Sequence, residues 1–286
     1  MSIVVLNQVI IPIYSFFLLI SIFGIGFFFN NIISIYKVEL ELKNLIFIQG
    51  LFFSSIIFVF INFFTPITDI LSLLIILVGS ILYSFYFFKI TQKKKEIKFI
   101  SLIIVFSVFF SYYSGVNDDF DYHYKIIKNY KNNSLFDILH HRRASYNSYW
   151  LFITSIFSIN FFTSTLFVLT SIFFSITIYD LFKLTRKSVK KNEYYVSTIS
   201  FFILIFFLGN FSKLKDFGTD IPGVILGAYM YIIIFNHLFE KNNKKTNNIF
   251  LLILFLFQFS FIIKITNGLL IILLFLIIYN LNLKKI

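Results

Sequence analysis

Leu45–Phe64 reads LIFIQGLFFSSIIFVFINFF and Thr68–Phe88 reads TDILSLLIILVGSILYSFYFF, with only Thr65, Pro66 and Ile67 between them. Each block is close to the roughly 20 apolar residues that cross about 30 Å of hydrocarbon at about 1.5 Å per residue. In lipid every backbone N–H and C=O must find its partner within the protein, so such blocks are helices unless they close a barrel. Barrel strands would alternate apolar and polar residues over short segments. Neither block does so, and the pair therefore reads as two crossings joined by a tight turn.

The rest of the chain extends this pattern. Apolar residues make up 58% of the 286 and charged residues 13%, where a soluble domain carries about a quarter charged. Further candidate spans are Val9–Phe29, Phe99–Tyr113, Asn160–Phe182, Tyr195–Asn210, Pro222–Phe239, Ile249–Ile263 and Gly268–Leu281. The expected fold is an all-α, polytopic membrane bundle of about nine transmembrane helices, one domain over residues 1–286. The N-terminus lacks a basic n-region and a small-residue cleavage site, so its first block reads as a retained helix. Cysteine is absent, which excludes a disulfide framework, a Cys-based metal site and a thiol nucleophile.

The net charge of +12 would raise nucleic acid as a partner in a soluble protein. Here it sits in short segments beside apolar blocks. Lys93, Lys94, Lys95 and Lys98 form one basic linker, Lys183, Arg186, Lys187, Lys190 and Lys191 a second, and Lys241, Lys244 and Lys245 a third. Basic residues beside membrane helices mark the cytoplasmic side, so the partner is the lipid bilayer and not nucleic acid. Counting helices from these linkers puts the turn at Thr65–Ile67, the long loop 114–149 and the loop Phe211–Ile221 on the outer face. The loop 114–149 is the chemically rich part of the chain.

Within it, Asn117-Asp118-Asp119-Phe120-Asp121-Tyr122-His123 places three carboxylates and an imidazole in seven residues. Asn117 suits a helix cap and the acids its first turn, where the positive end of the helix dipole favours them. Lys125, Lys128 and Lys131 follow, and acids first with lysines last is also what an ordinary surface helix presents. A metal reading gathers Asp118, Asp119, His123 and His140 around a divalent ion, since hard carboxylates suit magnesium or manganese. No ligand spacing in the loop is diagnostic.

A second cluster, His140-His141-Arg142-Arg143, precedes a segment with a polar stripe of Asn147, Thr154, Ser155 and Ser158. With Trp150 and neighbouring tyrosines suited to headgroup depth, Tyr146–Ile159 reads as a helix lying at the outer interface. The arginine fork grips phosphate through paired hydrogen bonds, and nonspecific attraction to anionic headgroups is the competing account. Two further ionisable residues stand out. Asp220 precedes Ile221-Pro222, where a cap is the plain expectation. Lys264 interrupts an apolar stretch before Thr266, Asn267 and Gly268, either snorkelling at a helix end or meeting a substrate.

Taken in order, these segments resemble the GT-C superfamily of polytopic glycosyltransferases, which use dolichyl- or undecaprenyl-phosphate sugars. Asp118-Asp119-Phe120-Asp121-Tyr122 is similar to the acidic pair of that family's first large outer loop, with Asp for Glu at the second position. A loop helix, an interfacial helix and a transmembrane helix follow it there, as Asp121–Lys131, Tyr146–Ile159 and Asn160–Phe182 do here. Asp220-Ile221-Pro222 resembles the Asp-hydrophobic-Pro entering a later helix, and Lys264 to Gly268 the Lys-Gly stretch opening another. The likeness is nearest to uncharacterised bacterial members carrying Asn-Asp-Asp-Phe-Asp-Tyr-His and Tyr-Asn-Ser-x-Trp, here Tyr146 to Trp150.

The departures are three or four spans before the acidic loop and an end after the ninth span, so a C-terminally truncated or inactive relative is an alternative reading. The resemblance implies transfer of a sugar from a polyprenyl-phosphate donor to a glycan or lipid acceptor at the outer face of the bacterial inner membrane. It implies Asp118 as general base and Asp119 as the residue that orients the acceptor or helps hold a metal. Asp121, Tyr122, His123, His140, His141, Arg142, Arg143, Trp150, Asp220 and Lys264 would bind substrate. Arg142, Arg143 and Lys264 would meet the phosphate, and Tyr122 and Trp150 would stack on the sugar or polyprenyl chain. A lipid-linked sugar flippase, a polysaccharide polymerase and a membrane scaffold remain as alternatives.

Overall fold

The computed structural model describes residues 3–33, 42–113, 120–139, 149–160, 162, 165–211, 220–239 and 246–272. All regular structure among them is helical apart from an isolated bridge between Ile159 and Phe162. The helices are α1 (Ile3–Ile33), α2 (Lys43–Phe64), α3 (Asp69–Lys89), α4 (Lys93–Tyr113), α5 (Phe120–Asn132), α6 (Leu135–Leu139), α7 (Tyr149–Ile156), α8 (Thr165–Lys190), α9 (Tyr194–Gly209), α10 (Asp220–Phe239) and α11 (Thr246–Ile263). A 3₁₀ helix, Ile265–Leu270, follows.

Among the described residues four helices are long and apolar enough to cross a bilayer: α1 over Val9–Ile32, α2, α3 and α8. The apolar stretches of α9, α10 and α11 are shorter, so of the nine expected crossings four stand on length and composition. The outward face of α3, with Ile70, Leu74, Leu77, Ile81, Phe85 and Phe88, is apolar apart from Ser84, whose hydroxyl donates to the Ser80 carbonyl. A water-soluble surface does not expose a continuous patch of that kind, whereas a lipid-facing helix must. The chain is a helical membrane protein.

The turn between α2 and α3 follows from its residues. Pro66 disfavours the helical region for Thr65, which is extended at φ −140° and ψ 146° and ends α2. Thr68 then restarts the chain, its hydroxyl accepting from the Leu71 N–H at 3.4 Å, with Asp69 in the favoured first turn. The two helices pack on α1 with their backbones nearly touching. A Cβ on Gly79 would meet the Ser21 carbonyl oxygen at 2.4 Å, and one on Gly50 the Ile22 carbonyl at 2.0 Å. Lipid supplies no hydrophobic drive between helices, and close small-residue packing takes its place.

Helix α8 runs through the centre, buried on nearly every side from Thr165 to Thr177. It differs from the expected Asn160–Phe182 at both ends: it begins at Thr165 and continues to Lys190. The second basic linker is therefore mostly helix, with Lys187 and Lys190 in its last turn, where cations complement the helix dipole. Lys93, Lys94, Lys95 and Lys98 likewise lie on α4 rather than in a linker. Lys241, Lys244 and Lys245 fall outside the described residues. At this basic end Lys43 pairs with Glu96 at 2.7 Å, and Glu96 also accepts from the Tyr83 hydroxyl at 3.0 Å.

The interfacial reading of Tyr146–Ile159 is corrected. Within it α7 covers Tyr149–Ile156, and Trp150 through Ile156 are all buried, leaving no face for lipid. Its polar stripe serves its own backbone: Thr154 donates to the Trp150 carbonyl and Ser155 to that of Phe152.

Candidate functional site

The acidic segment is only partly described. Asp118 and Asp119 lie outside the described residues, as do His140, His141, Arg142 and Arg143. Asp121 sits in the first turn of α5. Tyr122 is exposed, and His123 is half-buried with its ring centroid 5.6 Å from that of Tyr122. Of the four residues read as a metal set, His123 alone is described, and no group of three metal-ligating side chains occurs among the described residues.

Helix α5 is amphipathic: Ile126, Ile127, Tyr130 and Lys131 face inward, while Tyr122, Lys125, Lys128 and Asn132 face outward. The Tyr130 ring meets Phe152 of α7 edge-on at 5.2 Å, which seats α5 on the bundle. Trp150 is fully buried and stacks on Phe173 of α8 at 5.8 Å, so its ring belongs to the core packing.

Lys131 departs from the surface helix that the sequence suggested. Its side chain has no solvent exposure. The ammonium donates to Asp69 Oδ1 at 3.0 Å, Ser72 Oγ at 2.7 Å and the Ser158 carbonyl at 2.6 Å. An ammonium has three protons, and here each has an acceptor. Burial pushes its pKa below the ordinary lysine value, opposed by the hydrogen bond and charge of Asp69. Asp69 also accepts the Asn160 N–H through both carboxylate oxygens, each at 3.1 Å. Sequence reading missed this pair. The available signal was helical spacing, since Lys131 falls on the same face as Ile127, four residues earlier.

The structure brings together two residues that the sequence singled out separately. Asp220 opens α10, Lys264 follows α11, and their side chains form an ion pair. Next to it the Asn267 amide donates to Ser260 Oγ at 2.8 Å. A Cβ on Gly223 would stand 2.7 Å from that amide nitrogen and 3.6 Å from Lys264 Cβ, so α10 and the 3₁₀ helix touch here. Asp220 occupies the first helical turn itself, rather than only preceding it.

Over residues 9–286 the chain matches a family described as a domain of unknown function (DUF8201). It belongs to that family. No curated protein and no solved structure matches the DUF8201 chain, so its chemistry rests on its own residues.

Near the Asp220–Lys264 pair lies a groove of about 530 Å³ between α9 and α10. Phe202, Phe206, Gly223, Gly227 and Tyr231 line it, and Asn267 and Leu270 bring the 3₁₀ helix to its wall. Gly223 and Asn267 each lie three residues from a member of the ion pair, about one helical turn. In the DUF8201 chain the groove is thus an apolar slot, and the ion pair stands next to its lining residues Gly223 and Asn267 rather than in its wall.

Proposed function

We propose that this protein is a GT-C-type membrane glycosyltransferase that moves a sugar from a polyprenyl-phosphate donor to a glycan or lipid acceptor at the outer face of the bacterial inner membrane. The observation that carries the reading is the Asp220–Lys264 pair beside the groove of about 530 Å³. An apolar chain with a phosphate at one end suits an apolar slot with a cation close beside it. In this reading the shorter apolar helices cross as well, giving about nine spans, with the basic ends of α4 and α8 facing the cytoplasm.

Asp118 accepts a proton from the acceptor hydroxyl as that oxygen attacks the anomeric carbon. The bond from that carbon to the donor phosphate breaks, and the phosphate leaves with both electrons. Asp119 orients the acceptor. Arg142, Arg143 and Lys264 receive the phosphate, whose charge grows in the transition state. Asp220 engages one Lys264 proton and leaves the ammonium's other donors for phosphate oxygens.

Purified protein in proteoliposomes, given radiolabelled undecaprenyl-phosphate hexoses and a membrane glycan extract, tests the reading. Label should enter the glycan with wild type and not with Asp118→Asn. Full activity of Asp118→Asn sinks the proposed base. Movement of labelled donor between leaflets without incorporation into glycan would make the protein a flippase instead.

A further inference from the structure

Three ties fix the C-terminal end of α5 to the bundle. The Ile67 N–H donates to the Tyr130 carbonyl at 3.0 Å, the Asn62 amide reaches the Asn133 carbonyl at 3.4 Å, and the Lys131 ammonium enters the bundle. The first two are uncharged bonds to backbone carbonyls, made by the buried Ile67 and Asn62. Lys131 is different in kind, because it carries a charge on a side chain with no solvent exposure, and its three acceptors come from two elements, α3 and the exit of α7. The titratable groups facing it are Asp69 of α3 and, within electrostatic reach of Asp69, Tyr14 of α1. The Tyr14 hydroxyl donates to the Phe157 carbonyl beside Ser158.

A buried ion pair is weak evidence of stability, since the cost of desolvating both charges offsets much of their attraction. What it does impose is register. Sliding or rotating α5 by one residue would carry an ammonium into apolar surroundings and leave Asp69, Ser72 and the Ser158 carbonyl without it. An apolar residue at 131 would carry no such penalty and would tolerate several settings of the helix.

We propose that Lys131 is a positioning residue: its insertion between Asp69, Ser72 and Ser158 locks the register of α5 and thereby fixes the point on the bundle from which the acidic segment departs. Asp119 is covalently joined to Phe120, the first residue of α5. Rotation of the helix therefore moves the point from which the acidic segment departs. The functional half of this inference rests on Asp118 acting as the base; the register half does not.

The absence of native cysteine makes spin labelling selective. One labelled pair, Tyr122→Cys with Phe60→Cys, reports on α5, because both positions are exposed. A second, Leu74→Cys with Phe202→Cys on exposed faces of α3 and α9, reports on the bundle. In nanodiscs the first pair should give one narrow distance in the parent and a broadened or split one in Lys131→Met, while the second pair stays unchanged. A narrow first distance in Lys131→Met overturns the register lock. Should Lys131→Met disturb both pairs, Ser72→Ala removes one acceptor without stranding a charge, and broadening of the first pair alone is again the expected result. There, an unchanged first pair overturns it. In the transfer assay Lys131→Met should lower kcat by about 10²-fold, as expected for a base displaced by about 1 Å, with KM for undecaprenyl-phosphate glucose little changed. An unaltered kcat overturns positioning, whereas a wild type that transfers nothing sinks only the function and leaves the distance result to stand.

Discussion

Asp180 of α8 caps a helix that begins 137 residues earlier in the chain: its carboxylate accepts the backbone N–H of Asn44 at 2.8 Å, through Oδ2. Oδ1 takes the Lys43 N–H at 3.2 Å, and the Tyr229 hydroxyl of α10 donates to Oδ2 at 3.1 Å. Leu42, the residue at the α2 cap position, has no side-chain acceptor of its own. Helix N-termini leave N–H groups without intrahelical partners, and here a neighbouring helix supplies the acceptor and ties α2, α8 and α10 together.

Asp180→Ala should therefore lower stability by about 3 kcal/mol, since it strands several buried donors at about 1 to 3 kcal/mol each. Asp180→Asn, which keeps an acceptor oxygen, should cost about 1 kcal/mol. Denaturant titration in detergent, followed by the fluorescence of Trp150, measures both. Equal stability of wild type and Asp180→Ala would show that the cap contributes nothing.

Gly79→Leu should prevent α1 from packing on α3. Even a Cβ at this position overlaps Ser21 Oγ at 2.2 Å and its carbonyl oxygen at 2.4 Å, and backbone cannot give way as a flexible side chain does. Gly79→Ala is the graded version, with an expected loss of about 1 to 3 kcal/mol from overpacking. Gly209, where a Cβ meets nothing within 4 Å, is the control, and Gly209→Ala should leave the melting temperature unchanged.

The helices were legible in the sequence because burial in lipid selects unbroken apolar runs, and α2 and α3 fall within a residue or two of where their composition placed them. The ends of α8 were not, because basic residues at a helix C-terminus and basic residues in a linker look alike until the backbone is traced. Helix α7 was misread for a related reason: Thr154 and Ser155 looked like a wet face, yet their hydroxyls bond to carbonyls one turn back and so are compatible with burial. Asp220 and Lys264 were each visible as interruptions of apolar sequence. Their pairing across 44 residues is a tertiary fact that no local pattern encodes. Lys131 and Lys128 are indistinguishable by residue type, and only the face of α5 that meets α7 separates the buried lysine from the exposed one.

The depressed pKa of Lys131 gives a pH dependence of definite sign. Between the depressed value and the ordinary value of 10.5 the folded protein binds fewer protons at this residue than the unfolded chain, so stability rises with pH across that window. Lys131→Met should flatten this rise in a denaturant titration repeated across pH. Asp69→Asn leaves the ammonium buried without its counter-ion. Because the Asp69 side chain is 32% exposed and partly screened, the expected loss is about 1 to 2 kcal/mol. The double variant should be less destabilised than Asp69→Asn alone. A double variant worse than either single one would mean that the pair is not a coupled unit.

Filling the groove separates substrate binding from fold. Gly227 lines it, and a Cβ there meets only the Leu270 side chain, at 3.3 Å, so a larger residue has a flexible neighbour to displace and can then extend into the slot. Gly227→Phe should leave the melting temperature within a few degrees of wild type while raising KM for undecaprenyl-phosphate glucose about tenfold or more, the scale of losing a few buried methylenes at about 0.8 kcal/mol each. Lys264→Met should instead lower kcat more than it raises KM, because a cation that meets the leaving phosphate acts most strongly as charge develops. The contrast between the two is the informative result. If Lys264→Met changes KM alone, the ammonium holds the ground-state phosphate and takes no part in its departure. If Gly227→Phe changes neither constant, the donor chain lies elsewhere on the bundle and the groove between α9 and α10 is occupied by ordinary bilayer lipid.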